Sequence, residues 1–161
     1  QLSFTYTPFG KPCLAGAFAD SDLQFNLSHS HELALIAVCD RLQVGIDVEQ
    51  IREIPDKERV IQAFFAPHEK DLISGLPMNK SLELFFQIWC CKEALLKAQG
   101  VGLSRSLAEV RFSQKDLQAI CSGVGNKIKF RDFLQERKCW QVGCLQAPAG
   151  YKAAIAIELS P

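Results

Sequence analysis

The sequence lacks an excess of charge of either sign, because 18 basic and 18 acidic side chains balance to a formal net charge of zero. A basic excess is usual in nucleic-acid-binding domains, so this balance argues against that class of protein. The longest uninterrupted apolar run, residues 33–39, is far too short to span a bilayer, and no signal peptide is recognisable. We therefore expect a cytoplasmic protein that binds neither nucleic acid nor membrane.

Paired cysteine spacings are also missing. The seven cysteines include no Cys-x-x-Cys motif, which disfavours a zinc site, although such a site stays open as an alternative. Their number is odd, and several lie in apolar stretches, among them Cys39 and the neighbours Cys90 and Cys91. We interpret them as reduced, mostly buried thiols of a cytosolic protein.

Motifs for nucleotide binding and for serine hydrolysis are absent as well. The chain contains no P-loop and no Gly-x-Gly-x-x-Gly fingerprint. Ser28, His29 and Asp47 have the residue types of a hydrolase triad, but the Gly-x-Ser-x-Gly elbow that normally carries the nucleophile is missing. The serine and histidine are better interpreted as structural residues of a turn, or as donors beside a phosphate.

The 161 residues that are present, 48% of them apolar, alternate strand and helix patterns and predict an α+β fold. The two strands at 33–39 and 42–51 are expected to form an antiparallel hairpin around Asp40 and Arg41. Ser81 is a suitable N-cap for the longest helix, and Gly100 is a suitable residue just past its end. The predicted helices are residues 57–65, 68–74 and about 82–99, and the predicted strands are 23–27, 33–39, 42–51, 109–113, 127–130, 139–146 and 151–159.

Two carboxylates alternate with apolar residues in the predicted strand 42–51. Because strand side chains alternate between faces, Asp47 and Glu49 point the same way, about 7 Å apart. Gly45 is expected to leave open space beside them. Oxygen ligands on a strand suit Mg²⁺, which takes few carboxylates and completes its shell with water and phosphate. A simply solvated strand face is the alternative, and this segment alone favours it.

The longest predicted helix places Glu93 and Lys97 one turn apart on the same face. A surface ion pair is the simplest interpretation. The helix is otherwise apolar, however, and an inward-facing carboxylate and ammonium need a partner such as a metal ion or a phosphate. Lys11, in a turn before Pro12, is interpreted as a mobile cation that either contacts a ligand or is solvated.

The order and spacing of these fragments resemble the Sfp-type phosphopantetheinyl transferases. The small trimeric holo-acyl-carrier-protein synthases share the Asp-x-Glu and Lys-Glu-Ala signatures, but they lack the Asn-x-Ser-His-Ser segment. The resemblance covers about residues 5–105 and is carried by Gly10-Lys11-Pro12, Asn26-Leu27-Ser28-His29-Ser30, Gly45-Ile46-Asp47-Val48-Glu49, Phe64-Phe65-Ala66-Pro67-His68-Glu69 and Trp89-x-x-Lys92-Glu93-Ala94-x-x-Lys97-x-x-Gly100-x-Gly102-Leu103.

The resemblance implies a monomer of two similar α+β halves, related by a pseudo-twofold axis, with coenzyme A in the cleft between them. Residues 1–42 would then be the end of an incomplete first half, and residues 43–161 would be the second half that carries the metal site. The basic residues that grip the 3′-phosphate in this family would precede Gln1.

The implied reaction moves 4′-phosphopantetheine from coenzyme A to a serine of a carrier protein and releases adenosine 3′,5′-bisphosphate. Asp47, Glu49 and Glu93 resemble the ligands of Mg²⁺, which Mn²⁺ can replace, and Glu93 also resembles the general base. Lys92 and Lys97 resemble cations that face the diphosphate.

Other implied contacts lie outside the carboxylates. Ser28 and His29 resemble phosphate contacts, and Lys11 with Pro12 resembles a wall near the adenine or the 3′-phosphate. An apo acyl or peptidyl carrier protein would dock around residues 57–73. Cys90, where the family usually has a small polar residue, is expected to face away from Glu93. A non-catalytic coenzyme A-binding relative and an unrelated Mg²⁺-dependent phosphotransferase are the competing hypotheses.

Overall fold

The computed structural model describes residues 1–102, 105–125, 127–131 and 138–159. Leu103, the last residue of the helical motif, lies outside them, as do the last two residues of the segment 43–161. The strands are β1 (Ser3–Tyr6), β2 (Pro12–Ala15), β3 (Leu23–Ser30), β4 (Leu33–Asp40), β5 (Val44–Gln50), β6 (Lys127–Arg131), β7 (Cys139–Leu145) and β8 (Tyr151–Leu159). The helices are α1 (Lys57–Phe64), α2 (Pro67–Ser74), α3 (Met78–Gln99) and α4 (Gln114–Cys121).

Three antiparallel sheets form from these strands. β1 pairs with β2, β3 pairs with β4, and a four-stranded sheet has the order β5-β8-β7-β6. The α+β class predicted from the sequence is confirmed, whereas the pseudo-twofold arrangement and the boundary between residues 42 and 43 stay predictions.

The predicted hairpin between β4 and β5 is wrong. β4 pairs with β3 along its whole length, from Leu23 opposite Asp40 to Ser30 opposite Leu33. The turn between them is only two residues long, and His31 adopts a positive φ of 54° there, so β3 is the nearest partner for β4. β5 is largely buried and pairs with the alanine-containing β8 instead.

Helix α3 crosses β5 at very close range. A Cβ atom added to Gly45 would lie 2.1 Å from the carbonyl oxygen of Ala94 and 2.3 Å from the amide nitrogen of Ala98. The space beside Gly45 is therefore filled by the helix backbone, and the expectation of open space there is wrong. Only glycine permits so close an approach of the helix to the strand. The approach brings Glu93 and Lys97 of α3 near Asp47.

The start of helix α3 and the segment that follows this helix differ from the prediction. Helix α3 begins at Met78 after Pro77, about one turn before the predicted N-cap Ser81, and it ends at Gln99, followed by Gly100 with a φ of 67°. The strand predicted for residues 109–113 does not form, because a short 3₁₀ helix, Leu107–Glu109, ends at its first residue and residues 110–113 connect that helix to α4 without regular structure. Ser113 caps α4, since its side chain accepts a hydrogen bond from the Asp116 amide, so the capping box was a sequence signal for this helix.

The core lies between α3 and the four-stranded sheet and continues under α1, α2 and α4. Near the N-terminal half of α3, the rings of Phe65, Phe85 and Trp89 stack with centroids 5.0–6.4 Å apart. Within the described ranges, no helix is both long and apolar enough to cross a membrane.

Candidate active site

Asp47 is the buried centre of the site, with 3% of its surface exposed. Its Oδ1 atom accepts hydrogen bonds from Lys97 Nζ at 2.6 Å and from Ser28 Oγ at 2.9 Å. Its Oδ2 atom is also buried, yet it has no hydrogen-bond partner among the described residues. A buried carboxylate oxygen without a partner is costly, so its presence points to a ligand.

Two further carboxylates lie close to Asp47. Burial raises the pKa of Glu93, the negative charges of Asp47 and Glu49 raise it further, and the Lys97 ammonium partly offsets them. Glu49 Oε2 accepts a hydrogen bond from Ser30 Oγ at 2.8 Å. The structure thus places the three acidic side chains that the sequence singled out within range of one another's charge, two from strand β5 and one from helix α3.

Lys97 lies at the mouth of this site with 29% of its side chain exposed. Its ammonium donates to Asp47 Oδ1 at 2.6 Å and to Ser28 Oγ at 3.0 Å. This ammonium pairs with Asp47 and also lowers the pKa of Glu93, so it is a single positive charge near several carboxylates. The structure places Lys97 on the Asp47 carboxylate, and its role toward a diphosphate stays a prediction.

The carboxylates of Asp47, Glu49 and Glu93 are oxygen donors of the chemical kind that a hard divalent cation takes. Asp47 Oδ2 is a buried oxygen without a partner in the described part of the chain, and the carboxylates of Glu49 and Glu93 lie near it. Among the described residues, no group of three or more His, Cys, Asp or Glu side chains lies close enough together to hold a metal ion as the side chains now stand. The ammonium of Lys97 neutralises Asp47 in this arrangement.

Lys92 is not part of the site, so the implied contact with the diphosphate does not agree with its position. Its side chain is fully buried and forms an ion pair with Glu69 at 2.7 Å. Its ammonium also donates to the Phe64 carbonyl at 2.9 Å and lies 5.0 Å from the centre of the Phe65 ring. Because neighbouring helix residues point about 100° apart, Lys92 faces α2 while Glu93 faces β5.

Lys11 is not a mobile cation. Its ammonium donates to Gln43 Oε1 at 2.9 Å, to the Ala98 carbonyl at 3.2 Å and to the Val44 carbonyl at 3.3 Å. Burial lowers its pKa. One of these bonds ties the turn between β1 and β2 to the end of α3, and the other two tie it to the start of β5. Pro12 lies half-buried at the start of β2, opposite Tyr6.

Ser28 and His29 point to opposite faces of β3. Ser28 is buried against β5, and His29 is exposed on the other face. This alternation rules out the Ser28, His29 and Asp47 triad, because the imidazole does not share a face with the serine.

Cys90 was expected to face away from Glu93, and the structure places its thiol near Asp47, the carboxylate at the centre of the site. Burial raises the pKa of its thiol well above the usual range, and the negative charge of Asp47 adds to this effect. The thiol also donates to the Lys152 carbonyl at 3.3 Å. The strand-facing side of α3 thus includes residue 90 as well as residues 94 and 98.

Removing the charge of Glu93 is expected to stabilise the metal-free protein at neutral pH. The raised pKa means that the folded state holds a proton on Glu93 at pH values above 4.5, where the unfolded state has lost it, so stability falls as pH rises through that window. Glu93→Gln removes this loss. Urea unfolding should show the variant more stable than the wild type at neutral pH and equal to it well below pH 4.5. A less stable variant at neutral pH would contradict the raised pKa.

The fold and the site define an α+β protein with an acidic centre between a strand and a long helix. The chain belongs to the 4′-phosphopantetheinyl transferase superfamily, whose family model matches residues 43–156. This confirms the resemblance found in the sequence.

Three known proteins illustrate the similarity. The chain is 47% identical over 105 residues to the 4′-phosphopantetheinyl transferase HetI of Nostoc sp., covering 65% of this chain and 44% of the relative. It is 29% identical over 107 residues to the 4′-phosphopantetheinyl transferase Sfp of Bacillus subtilis, covering 66% and 45%. The crystal structure of Thermotoga maritima holo-[acyl-carrier-protein] synthase has a TM-score of 0.46 at 17% identity, over 74% of this chain and 65% of that one. The chain spans about half the length of the curated relatives it matches.

Proposed function

We propose that this chain carries the metal- and diphosphate-binding part of an enzyme that transfers 4′-phosphopantetheine from coenzyme A to a serine of an apo carrier protein. The observation that carries the proposal is the buried Asp47 Oδ2, which has no partner among the described residues, with the charges of Glu49 and Glu93 within range and Lys97 paired to the same carboxylate. The relatives HetI and Sfp are named 4′-phosphopantetheinyl transferases, which supports the proposal.

Asp47, Glu49 and Glu93 would hold Mg²⁺, or Mn²⁺ in its place. When bound, the ion supplies charge neutralisation to a diphosphate. Lys97 is partly exposed at the mouth of the site, so its ammonium can turn to the oxygen that leaves with adenosine 3′,5′-bisphosphate.

Glu93 is the proposed general base. Its raised pKa makes it a better proton acceptor than an ordinary carboxylate. The carrier serine oxygen attacks the phosphorus that bears the pantetheine arm, its proton passes to Glu93 directly or through water, and the bond to the bridging diphosphate oxygen breaks.

We place carrier docking on α1 and α2, within residues 57–73. A cavity of about 330 Å³ lies between these helices and the start of α3, with Lys57, Ile61, Ile73 and Met78 in its lining. Phe65 is buried in the core, whereas Phe64 is only partly buried. Lys70 and Arg59 add positive charge beside this surface, which suits an acidic carrier helix. A monomeric state and a cytoplasmic location stay predictions.

Chelation is expected to stop the reaction. The chain is mixed with coenzyme A, Mg²⁺ and an apo carrier protein, and the mass of the carrier is followed by mass spectrometry. EDTA should abolish the mass gain, and Mg²⁺ or Mn²⁺ should restore it, because a diphosphate needs its charge neutralised. Transfer that survives chelation would contradict the metal site. Nucleotide turnover without a carrier would support an unrelated phosphotransferase instead.

A further inference from the structure

β3 and β5 are joined by side chains rather than by strand pairing. β5 is the edge strand of its sheet, and alternate amides along it point away from β8. Three side chains of β3, spaced two residues apart, accept hydrogen bonds from these amides. The pairs are Asn26 Oδ1 with Ile46 N at 2.9 Å, Ser28 Oγ with Val48 N at 3.3 Å, and Ser30 Oγ with Gln50 N at 3.0 Å.

Two of these three side chains also contact the carboxylates. Ser28 Oγ donates to Asp47 Oδ1 at 2.9 Å, and Ser30 Oγ donates to Glu49 Oε2 at 2.8 Å. A hydroxyl group has one proton to donate, and its oxygen already accepts a hydrogen bond from the β5 amide. The hydroxyl proton is therefore directed to the carboxylate, and one oxygen of each carboxylate is held.

We propose that Ser28 and Ser30 are positioning residues, which orient Asp47 and Glu49 so that their other oxygens are presented to the cation. This inference rests on the proposed function. The Ser28 hydroxyl accepts from Val48 N and Lys97 Nζ and gives its proton to Asp47, so this arrangement replaces the phosphate contact implied for it. Partners of this kind typically contribute about 10- to 100-fold in metal affinity.

Asn26 provides a matched control, because it bonds the Ile46 amide in the same way but contacts no carboxylate among the hydrogen bonds of the described residues. Mn²⁺ binding is measured by electron paramagnetic resonance on the wild type and on Ser30→Ala, Ser30→Thr and Asn26→Ala. We expect Ser30→Ala to weaken binding by about 10-fold or more, and Ser30→Thr to retain it. Asn26→Ala should leave Mn²⁺ affinity unchanged while it speeds hydrogen exchange of the Ile46 amide.

The outcomes separate this inference from the proposed function. If the Ser30→Ala variant binds Mn²⁺ as tightly as the wild type while its Gln50 amide exchanges faster, the positioning role is wrong. The metal site itself is not contradicted by that result. If the Asp47→Ala variant binds Mn²⁺ as tightly as the wild type, both the positioning role and the proposed metal site are wrong. If Ser30→Ala does not fold, Ser30→Cys keeps the size of the side chain with a weaker donor, and unchanged affinity in that variant counts against the inference.

Discussion

Glu93→Gln is expected to lower the rate of phosphopantetheine transfer by roughly 10²- to 10⁴-fold, the usual contribution of a general base. The amide keeps the size of the side chain but neither accepts the proton of the carrier serine nor neutralises a cation. Asp47→Ala should be at least as damaging, because it removes the buried oxygen that lacks a partner among the described residues. The rate is measured as the initial mass gain of the carrier, with circular dichroism to show that the fold is intact.

Glu83→Gln is the matched control for this prediction. Glu83 lies on the same helix, but it pairs with Lys80 and Lys152 at 3.3 Å rather than with the acidic centre. Its substitution should leave the rate unchanged. Wild-type turnover in either Glu93→Gln or Asp47→Ala would remove the assignment of the catalytic site.

Lys92→Met is expected to lower the free energy of unfolding by about 3–5 kcal/mol, because it leaves Glu69 as an unpaired buried charge. Glu69 stays in place through the amides of Ala66 at 2.8 Å and Phe112 at 3.1 Å, which donate to its two oxygens. Urea unfolding measures the loss. Adding Glu69→Gln to the variant removes the charge while it keeps an acceptor, so the double variant should be more stable than Lys92→Met alone.

The exposed Lys80 on the same helix gives the control for Lys92. Lys80→Met should change the free energy of unfolding by no more than about 0.5 kcal/mol. A Lys92→Met variant that is as stable as the wild type but inactive would contradict this prediction. The Lys92 ammonium would then act at the diphosphate, as the resemblance implied, rather than stabilise the fold through its ion pair with Glu69.

Local periodicity in the sequence explains which side chains of a strand or helix could be predicted to share a face. Alternation along β5 placed Asp47 and Glu49 on one face, and four-residue spacing placed Glu93 with Lys97. These relations depend only on neighbours in the chain. The pairing of β5 was missed because β8 lies more than 100 residues later, and no local pattern selects between such partners.

The sequence by itself determined most of the helical and extended segments and which acidic side chains share a face, because these follow from residue spacing. Only the tertiary structure decided that Gly45 lets α3 lie against β5, that Lys92 is buried beside Glu69, and that Ser28 and Ser30 hold the carboxylates. Those facts depend on contacts between distant segments, and packing in three dimensions selects among many partners that the sequence pattern leaves equivalent.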